Sequence, residues 1–414
     1  MDPVVYAFFV VSAVLIAGFI ASVVLSKYGI PDSMFLIGLG ILIGPIFRLL
    51  NPADFQVLAP YIGALALVAI MFESSLGINL HELIETARSA IILALMSFFL
   101  SMVAASVFVH YVLNLPWIYS ILYGSIVGGS SGAIVAAMAT KMGLSPSLGL
   151  ILSLESILTD VFCITAGLVV LTIITSSLAG IATRPEQIAG FIAQKFSTSI
   201  IMGFIFGLIL SSILYKVRKY KHIYTAVFAA LIFLYALTEF LQGSGAISVL
   251  TAGIVLANLE HMPSALSSEE KTETLRFQRV FLESFHSELT LLIKVFFFVV
   301  VGLVINVENL FNLFIAGVLS LIFLVVRFPA AYTITKIAHL GRMAPLITVL
   351  YGRGLAAAVL VFIAIDTMGG ALPQAEFFLE SISGIVLITN AILTLGATLL
   401  RSRIHTTSWG YPQA

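Results

Sequence analysis

The sequence predicts an all-α membrane protein of about thirteen transmembrane helices, built as two inverted six-helix repeats that each contain a discontinuous helix. Three observations carry this prediction. Of the 414 residues, 60% are hydrophobic and 10% charged, against about 25% charged in soluble domains, and mean hydropathy is +1.13. Apolar runs long enough to cross a bilayer, about 20 residues each, recur along the whole chain. Two of these runs, at matching places in the order, are interrupted by glycine clusters.

In chain order, the apolar windows place spans at 4–25, 33–50, 57–78, 89–112, 118–140, 148–175, 189–215, 222–241, 244–259, 289–306, 311–337, 345–367 and 380–400. The first begins almost at Met1 without a basic n-region, so it reads as a retained span rather than a cleaved signal. One transmembrane domain covers 1–414: repeat one about 4–178, a linking helix about 189–215, and repeat two about 222–403, with no soluble domain. If spans 1–6 and 8–13 are the repeats, the broken fifth and twelfth spans are equivalent, and the odd offset between them inverts topology.

Basic residues set the orientation. Segments after odd-numbered spans hold fourteen Lys and Arg, among them Lys27, Arg88, Lys141, Lys216 and Lys271; segments after even-numbered spans hold three, Arg48, Arg184 and Lys195. The richer side is cytoplasmic, so the N-terminus lies outside and the C-terminus inside a cell membrane. Residues 260–288, the longest polar segment, have apolar side chains at helical spacing. They read as an interfacial helix on the cytoplasmic side, with a regulatory role as the alternative.

Intramembrane charges are the candidate functional residues, because each costs about 2.5–3.5 kcal/mol near the bilayer centre on insertion scales. Span six contains Glu155-Ser156-Ile157-Leu158-Thr159-Asp160. At about 100° per residue, Glu155, Ser156, Thr159 and Asp160 share an arc of roughly 140°. An all-oxygen face with titratable carboxylates suits a hard alkali cation or a proton; salt-bridged structural acids are the alternative. Arg327, mid-span beside Pro329, needs a carboxylate or carbonyls, and Glu155 is the best candidate, leaving Asp160 free. Arg353 serves instead to neutralise carbonyl ends at the broken twelfth span. Lys294 snorkels to the interface. Glu73 is either an ion-path residue or interfacial, and Glu239, His110 and His339 are interfacial.

The breaks themselves are Gly128-Gly129-Ser130-Ser131-Gly132-Ala133 and Tyr351-Gly352-Arg353-Gly354. Unwound spans at matching places in two halves mark transporter binding sites; close helix packing is the plainer role for such glycines. Net charge is zero, so nothing suggests nucleic acid. The lone Cys163 forms no intrachain disulfide. There is no Cys/His metal spacing, no phosphate-binding glycine loop, and no nucleophile–base pair, so neither an enzyme nor an ATP motor is expected.

These motifs resemble the monovalent cation/proton antiporter superfamily. Glu155-Ser156-Ile157-Leu158-Thr159-Asp160 resembles the Glu-Ser-x-x-Asn-Asp of its NhaP and sodium/proton exchanger branch, and Phe72-Glu73-Ser74-Ser75-Leu76 its third-span pattern. Ser130-Ser131-Gly132-Ala133-Ile134 and Phe296-Phe297-Phe298-Val299-Val300-Val301-Gly302-Leu303 are similar to the Kef branch, and Tyr351-Gly352-Arg353-Gly354 to the exchanger Gly-x-Arg-Gly. The resemblance implies an antiporter-type fold with crossed discontinuous helices, a homodimer and an elevator-like movement of an ion-carrying core. It implies exchange of a monovalent cation, Na⁺ before K⁺ or Li⁺, for H⁺ by alternating access, electroneutral at one for one. A Kef-like potassium efflux system gated by a partner subunit is the alternative. The implied ion-binding set is Asp160, Glu155, Ser156, Thr159, Ser130 and Ser131, with Asp160 carrying cation or proton in turn. Arg327, Glu155 and Arg353 compensate charge, Glu73 and Lys294 are accessory, and no cofactor is implied. Thr159 stands where the family has Asn, and Ser131 where the exchanger branch has Asp.

Overall fold

Proline opens three of the helices. Pro3, Pro146 and Pro185 each occupy a first helical position, where the missing N–H costs nothing and φ is already helical. The computed structural model describes all residues except 1, 29, 52–54, 56–57, 79, 132–133, 136–137, 139–141, 181–184, 218–222, 259–268, 306–308, 342 and 407–414. Gly132 and Ala133, and several basic residues used for orientation (Lys141, Arg184, Arg218, Lys219, Lys221 and Arg342), lie outside the described set.

The described elements are helical throughout. They are α1 (Pro3–Tyr28), α2 (Asp32–Ile41, prolonged by a wide π turn Leu42–Ile46 around Pro45), α3 (Ala59–Leu76), α4 (Leu80–Leu113), α5 (Trp117–Val127), α6 (Pro146–Leu178) and α7 (Pro185–Val217). After these come α8 (Ile223–Phe240), α9 (Gly245–Ala257), α10 (Glu269–Leu303), α11 (Leu310–Ile337), α12 (Ala344–Val349), α13 (Leu355–Met368) and α14 (Ala375–Thr406). Among the described residues, nine helices are long and apolar enough to cross a membrane and four more apolar helices are shorter. Each of the thirteen expected spans corresponds to one of these, the twelfth being α12 and α13 together. Large apolar side chains stand exposed, such as Phe8, Phe9 and Phe19 on α1 and Ile200, Ile201 and Phe204 on α7. A chain that is 60% hydrophobic needs lipid, not water, against such faces.

The segment 260–288 differs from its expectation. From Glu269 onward it belongs to α10, which runs unbroken through span ten to Leu303. No proline or glycine intervenes before Gly302, so nothing stops the helix. Residues 260–268 are outside the described set.

The chain divides into two units: Met1–Pro60, Thr86–Gly167 and Val295–Ala414 form the first, and Tyr61–Glu85 and Leu168–Lys294 the second. In the first, Leu93 of α4, Leu148 and Leu152 of α6, Ala330 and Ile334 of α11, Ile347 of α12 and Leu393 of α14 bury together. There α2 and α10 meet at their backbones. A Cβ on Gly40 would lie 2.8 Å from the Gly302 Cα, and one on Gly302 would lie 2.9 Å from the Gly40 Cα. In the second unit, the buried His286 ring joins three helices. Its Nε2 is 2.7 Å from the Ala69 carbonyl, its Nδ1 2.5 Å from the Tyr224 hydroxyl, and Phe72 meets it edge-on at 4.9 Å.

Candidate functional site

Two helices stop in the middle of the first unit. The α5 helix ends at Val127, residues 128–131 are not helical, and Ile134 and Val135 are helical again. The α12 helix ends at Val349, and α13 starts only at Leu355. The two breaks touch: the Ser131 N–H donates to the Gly352 carbonyl at 2.7 Å. The discontinuous spans therefore cross at their gaps. Glycine permits the approach on the other side, where a Cβ on Gly129 would lie 2.7 Å from Cys163 Sγ and 3.0 Å from the Thr159 carbonyl oxygen.

The oxygen face of α6 lies against the fifth-span break. Thr159 Oγ1 accepts the Ser130 N–H at 3.1 Å and donates to the Ser156 carbonyl at 3.0 Å. The Ser130 hydroxyl donates to Glu155 Oε1 at 3.1 Å, and Ser156 Oγ is also 3.1 Å from it. With the Ser130 proton on the carboxylate, the Ser156 hydroxyl is the donor of that second bond. Glu155, Ser156 and Thr159 are completely buried and Ser130 almost so.

Glu155 has a strong partner. Arg327 of α11 donates Nη1 to Oε1 at 2.8 Å and Nη2 to Oε2 at 3.0 Å, a bidentate pair. Its Nε donates to the Ile347 carbonyl at 3.1 Å. That carbonyl belongs to the last turn of a six-residue helix, where carbonyls lack helical partners.

Arg353 corrects one expectation. Its guanidinium serves the other break rather than its own: Nη1 donates to the Gly129 carbonyl, Nη2 to Ser101 Oγ of α4 at 3.1 Å, and Phe323 lies 4.6 Å beneath it. Because the spans cross, the orphan carbonyl beyond α5 is within its reach. Residue 353 is itself held by α14: its N–H donates to Thr389 Oγ1 at 3.0 Å, and Asn390 Nδ2 donates to its carbonyl at 3.1 Å.

Asp160 stands apart from these networks. It is half-buried, and among the described residues it has no hydrogen bond or ion pair. Glu155 and Arg353 are the charged groups whose fields bear on it. So Glu155, Ser156, Thr159, Asp160, Ser130, Ser131, Arg327 and Arg353 come together at the crossing. Glu73 and Lys294 belong to the second unit, where Glu73 accepts a hydrogen bond from Ser287 at 3.1 Å. Sequence reasoning did not find Ser101, Thr389, Asn390 or His286. The one available signal was that Thr389-Asn390 repeats the order of Thr159-Asp160 in the other broken-span partner. No group of three or more His, Cys, Asp or Glu able to hold a metal occurs among the described residues. The donors at the crossing are all oxygen, and one carboxylate among them is uncommitted, an arrangement suited to a hard monovalent cation or a proton in exchange.

Known proteins resemble this arrangement over most of its length. The sodium proton antiporter MjNhaP1 of Methanocaldococcus jannaschii superposes with a TM-score of 0.76, at 20% identity, over 97% of each chain. The Na⁺/H⁺ antiporter 1 of the same organism is 23% identical over 314 residues, 74% of this chain and 70% of that protein. The K⁺/H⁺ antiporter NhaP2 of Shewanella sp. (strain MR-4) is 23% identical over 401 residues, 95% of this chain and 66% of that longer protein. The sodium/hydrogen exchanger transmembrane family model matches residues 11–400. A multi-pass helical fold, two broken spans crossing beside an intramembrane acid, and a match over nearly the whole chain converge on one assignment: this chain is a secondary transporter, not an enzyme, and belongs to the sodium/hydrogen exchanger transmembrane family.

Proposed function

We propose that the chain exchanges one monovalent cation for one proton by alternating access, with Asp160 carrying each in turn. The observation that carries this reading is the contrast between two acids five residues apart on α6. Glu155 is held by a bidentate guanidinium and a serine hydroxyl; Asp160 is half-buried and uncommitted among the described residues. Only Asp160 is free to change partner. Ser130, Ser131, Ser156 and Thr159 stand nearby as hydroxyl ligands, while Glu155 with Arg327 is a standing pair. Cation or proton neutralises Asp160, and the empty carboxylate is costly to carry through the barrier. That difference enforces exchange. Na⁺ is the first candidate and K⁺ or Li⁺ the alternatives; relatives named for Na⁺ and for K⁺ both support the class. A homodimer in the cell membrane, with the N-terminus outside and the C-terminus cytoplasmic, completes the reading.

The test is exchange in proteoliposomes with Na⁺, Li⁺, K⁺ and Rb⁺ at several pH values. Asp160→Asn abolishes exchange with every cation while the protein still folds, because an amide neither titrates nor holds a cation by charge. In the unsubstituted protein, low pH raises the apparent KM for cation and leaves the maximal rate nearly unchanged, as competition for one carboxylate requires. Wild-type rates in a folded Asp160→Asn protein would remove the assignment.

A further inference from the structure

The two breaks are closed by the same device. In α6, Thr159 Oγ1 accepts the Ser130 N–H at 3.1 Å and donates back to the Ser156 carbonyl. In α14, Thr389 Oγ1 accepts the Arg353 N–H at 3.0 Å and donates back to the Ile385 carbonyl at 2.7 Å. Each capped residue follows a glycine, Gly129 or Gly352, and each threonine precedes a polar residue in mid-helix. Asn390 therefore holds, at the second break, the place that Asp160 holds at the first.

The matched residues differ in charge and in what they do. Asp160 is half-buried without a described hydrogen-bond or ion-pair partner, whereas Asn390 is completely buried. The Asn390 amide nitrogen donates to the Arg353 carbonyl at 3.1 Å, and its Oδ1 has no hydrogen-bond partner. Turning the amide over would set oxygen against oxygen, so the donor side is fixed by the Arg353 carbonyl. Leaving a buried acceptor unsatisfied is costly, and the N–H donation to residue 353 is what the amide gains in return. Thr389 and Asn390 together pin both backbone polar groups of residue 353. A side chain whose backbone is pinned on both sides is aimed, and this one reaches the Gly129 carbonyl and Ser101.

We propose that Asn390 is a positioning residue for the exchange, holding Arg353 so that its guanidinium stays on the Gly129 carbonyl beside the Asp160 site. The proposal rests on the reading of Asp160 as the carrier. The end of a helix with unpaired carbonyls is partially negative, and here the guanidinium offsets it. An aspartate at 390 donates nothing to the Arg353 carbonyl and draws the guanidinium back from Gly129. A leucine there leaves that carbonyl unpinned. In either case the exposed carbonyl end adds negative potential at the site, so a cation binds more tightly and leaves more slowly.

The experiment uses the full chain in proteoliposomes, with Na⁺ and K⁺ as the probe cations. In Asn390→Asp and Asn390→Leu, the apparent KM for the transported cation falls about three- to thirtyfold, and the maximal rate per folded protein falls with it. Thr389→Val, which removes the other pin, shifts both in the same direction. Asn390→Ser keeps a donor and lies closest to the unsubstituted protein. A merely structural role lowers the rate and leaves KM where it was; that result overturns the proposal. Where the 390 variants fail to fold, Thr389→Val is judged alone by the same criterion. Asp160→Asn run in parallel separates the two readings. Exchange surviving in it removes the carrier and this proposal together. An inactive Asp160→Asn beside an unchanged KM in the other variants overturns the positioning role alone.

Discussion

Glu155 and Arg327 show what a single residue can reveal in a lipid-spanning sequence. A guanidinium in mid-span has few stable surroundings, so Arg327 implied an acid, and the two acids on span six were Glu155 and Asp160. The bidentate geometry, at 2.8 and 3.0 Å in a nearly dry setting, makes the pair expensive to break. Removing one partner of a buried pair costs about 3–5 kcal/mol, because the other charge is left uncompensated. Glu155→Gln and Arg327→Ala are each expected to lower thermal stability in detergent, and the double variant to be less damaged than the two losses added together. Strict additivity in that cycle would deny the coupling. Ser101, Thr389 and Asn390 were not legible in the same way. Hydroxyls in a helix find a default acceptor one turn back, as Thr389 does at Ile385, so their presence in a span does not announce a neighbour. Arg353 was legible as a charge needing carbonyls, but not as to which: its target lies 224 positions away in sequence.

At the scale of elements, the breaks were visible because glycine clusters weaken a helix wherever they fall. That the two gaps meet was expected from the family resemblance; the Ser131 to Gly352 bond is a detail of register that no window reveals. The fifth-span gap also has a tight back wall. Gly129→Ala puts a methyl 2.7 Å from Cys163 Sγ and 3.0 Å from the Thr159 carbonyl, closer than such atoms approach without movement. The expected result is strongly reduced exchange from a protein that still inserts, with partial recovery when Cys163→Ala is added to empty the sulfur's space. Recovery is partial because the Thr159 backbone does not yield. If Gly129→Ala transports normally, the break is not held as tightly as its packing implies. The long α10 taught the opposite lesson: the polar composition of 260–288 suggested a separate element, yet composition changes along a helix without ending it when no breaker intervenes.

For the whole molecule, composition and the spacing of apolar runs made the class and the thirteen spans legible, since the bilayer imposes both. The partition of side chains between the two units was not, because apolar surface facing lipid and apolar surface facing protein look alike in sequence. Stoichiometry is a property at this scale. One uncommitted carboxylate at the crossing among the described residues, one hydroxyl before it at Thr159, and a guanidinium that stays protonated are the basis for proposing a single titrating carrier per turnover. On the proposed reading of Asp160 as the carrier, one proton moves against one monovalent cation and no net charge crosses. An imposed potassium–valinomycin potential is expected to leave the rate of Na⁺-driven proton movement unchanged, although an uncompensated charge feels about 2.3 kcal/mol per 100 mV. A rate that follows the sign of the potential would bring a second titrating group into the cycle, with Glu155 the first suspect.

The meeting of Gly40 and Gly302 bears on how this sequence is able to drift. Most close contacts in a protein permit a trade, in which one side chain grows while its neighbour shrinks. Here each facing residue is already glycine, and each would-be methyl falls first on a backbone carbonyl, of Val299 or Ile37, and then on the other glycine's Cα at 2.8–2.9 Å. Neither position has anything left to give. Selection for second-site revertants of Gly40→Ala should therefore never return a change at 302, and should return substitutions that let α2 and α10 stand farther apart. The pair is an evolutionary dead end as well as a contact: it is kept whole, or the spacing of the two helices is redrawn.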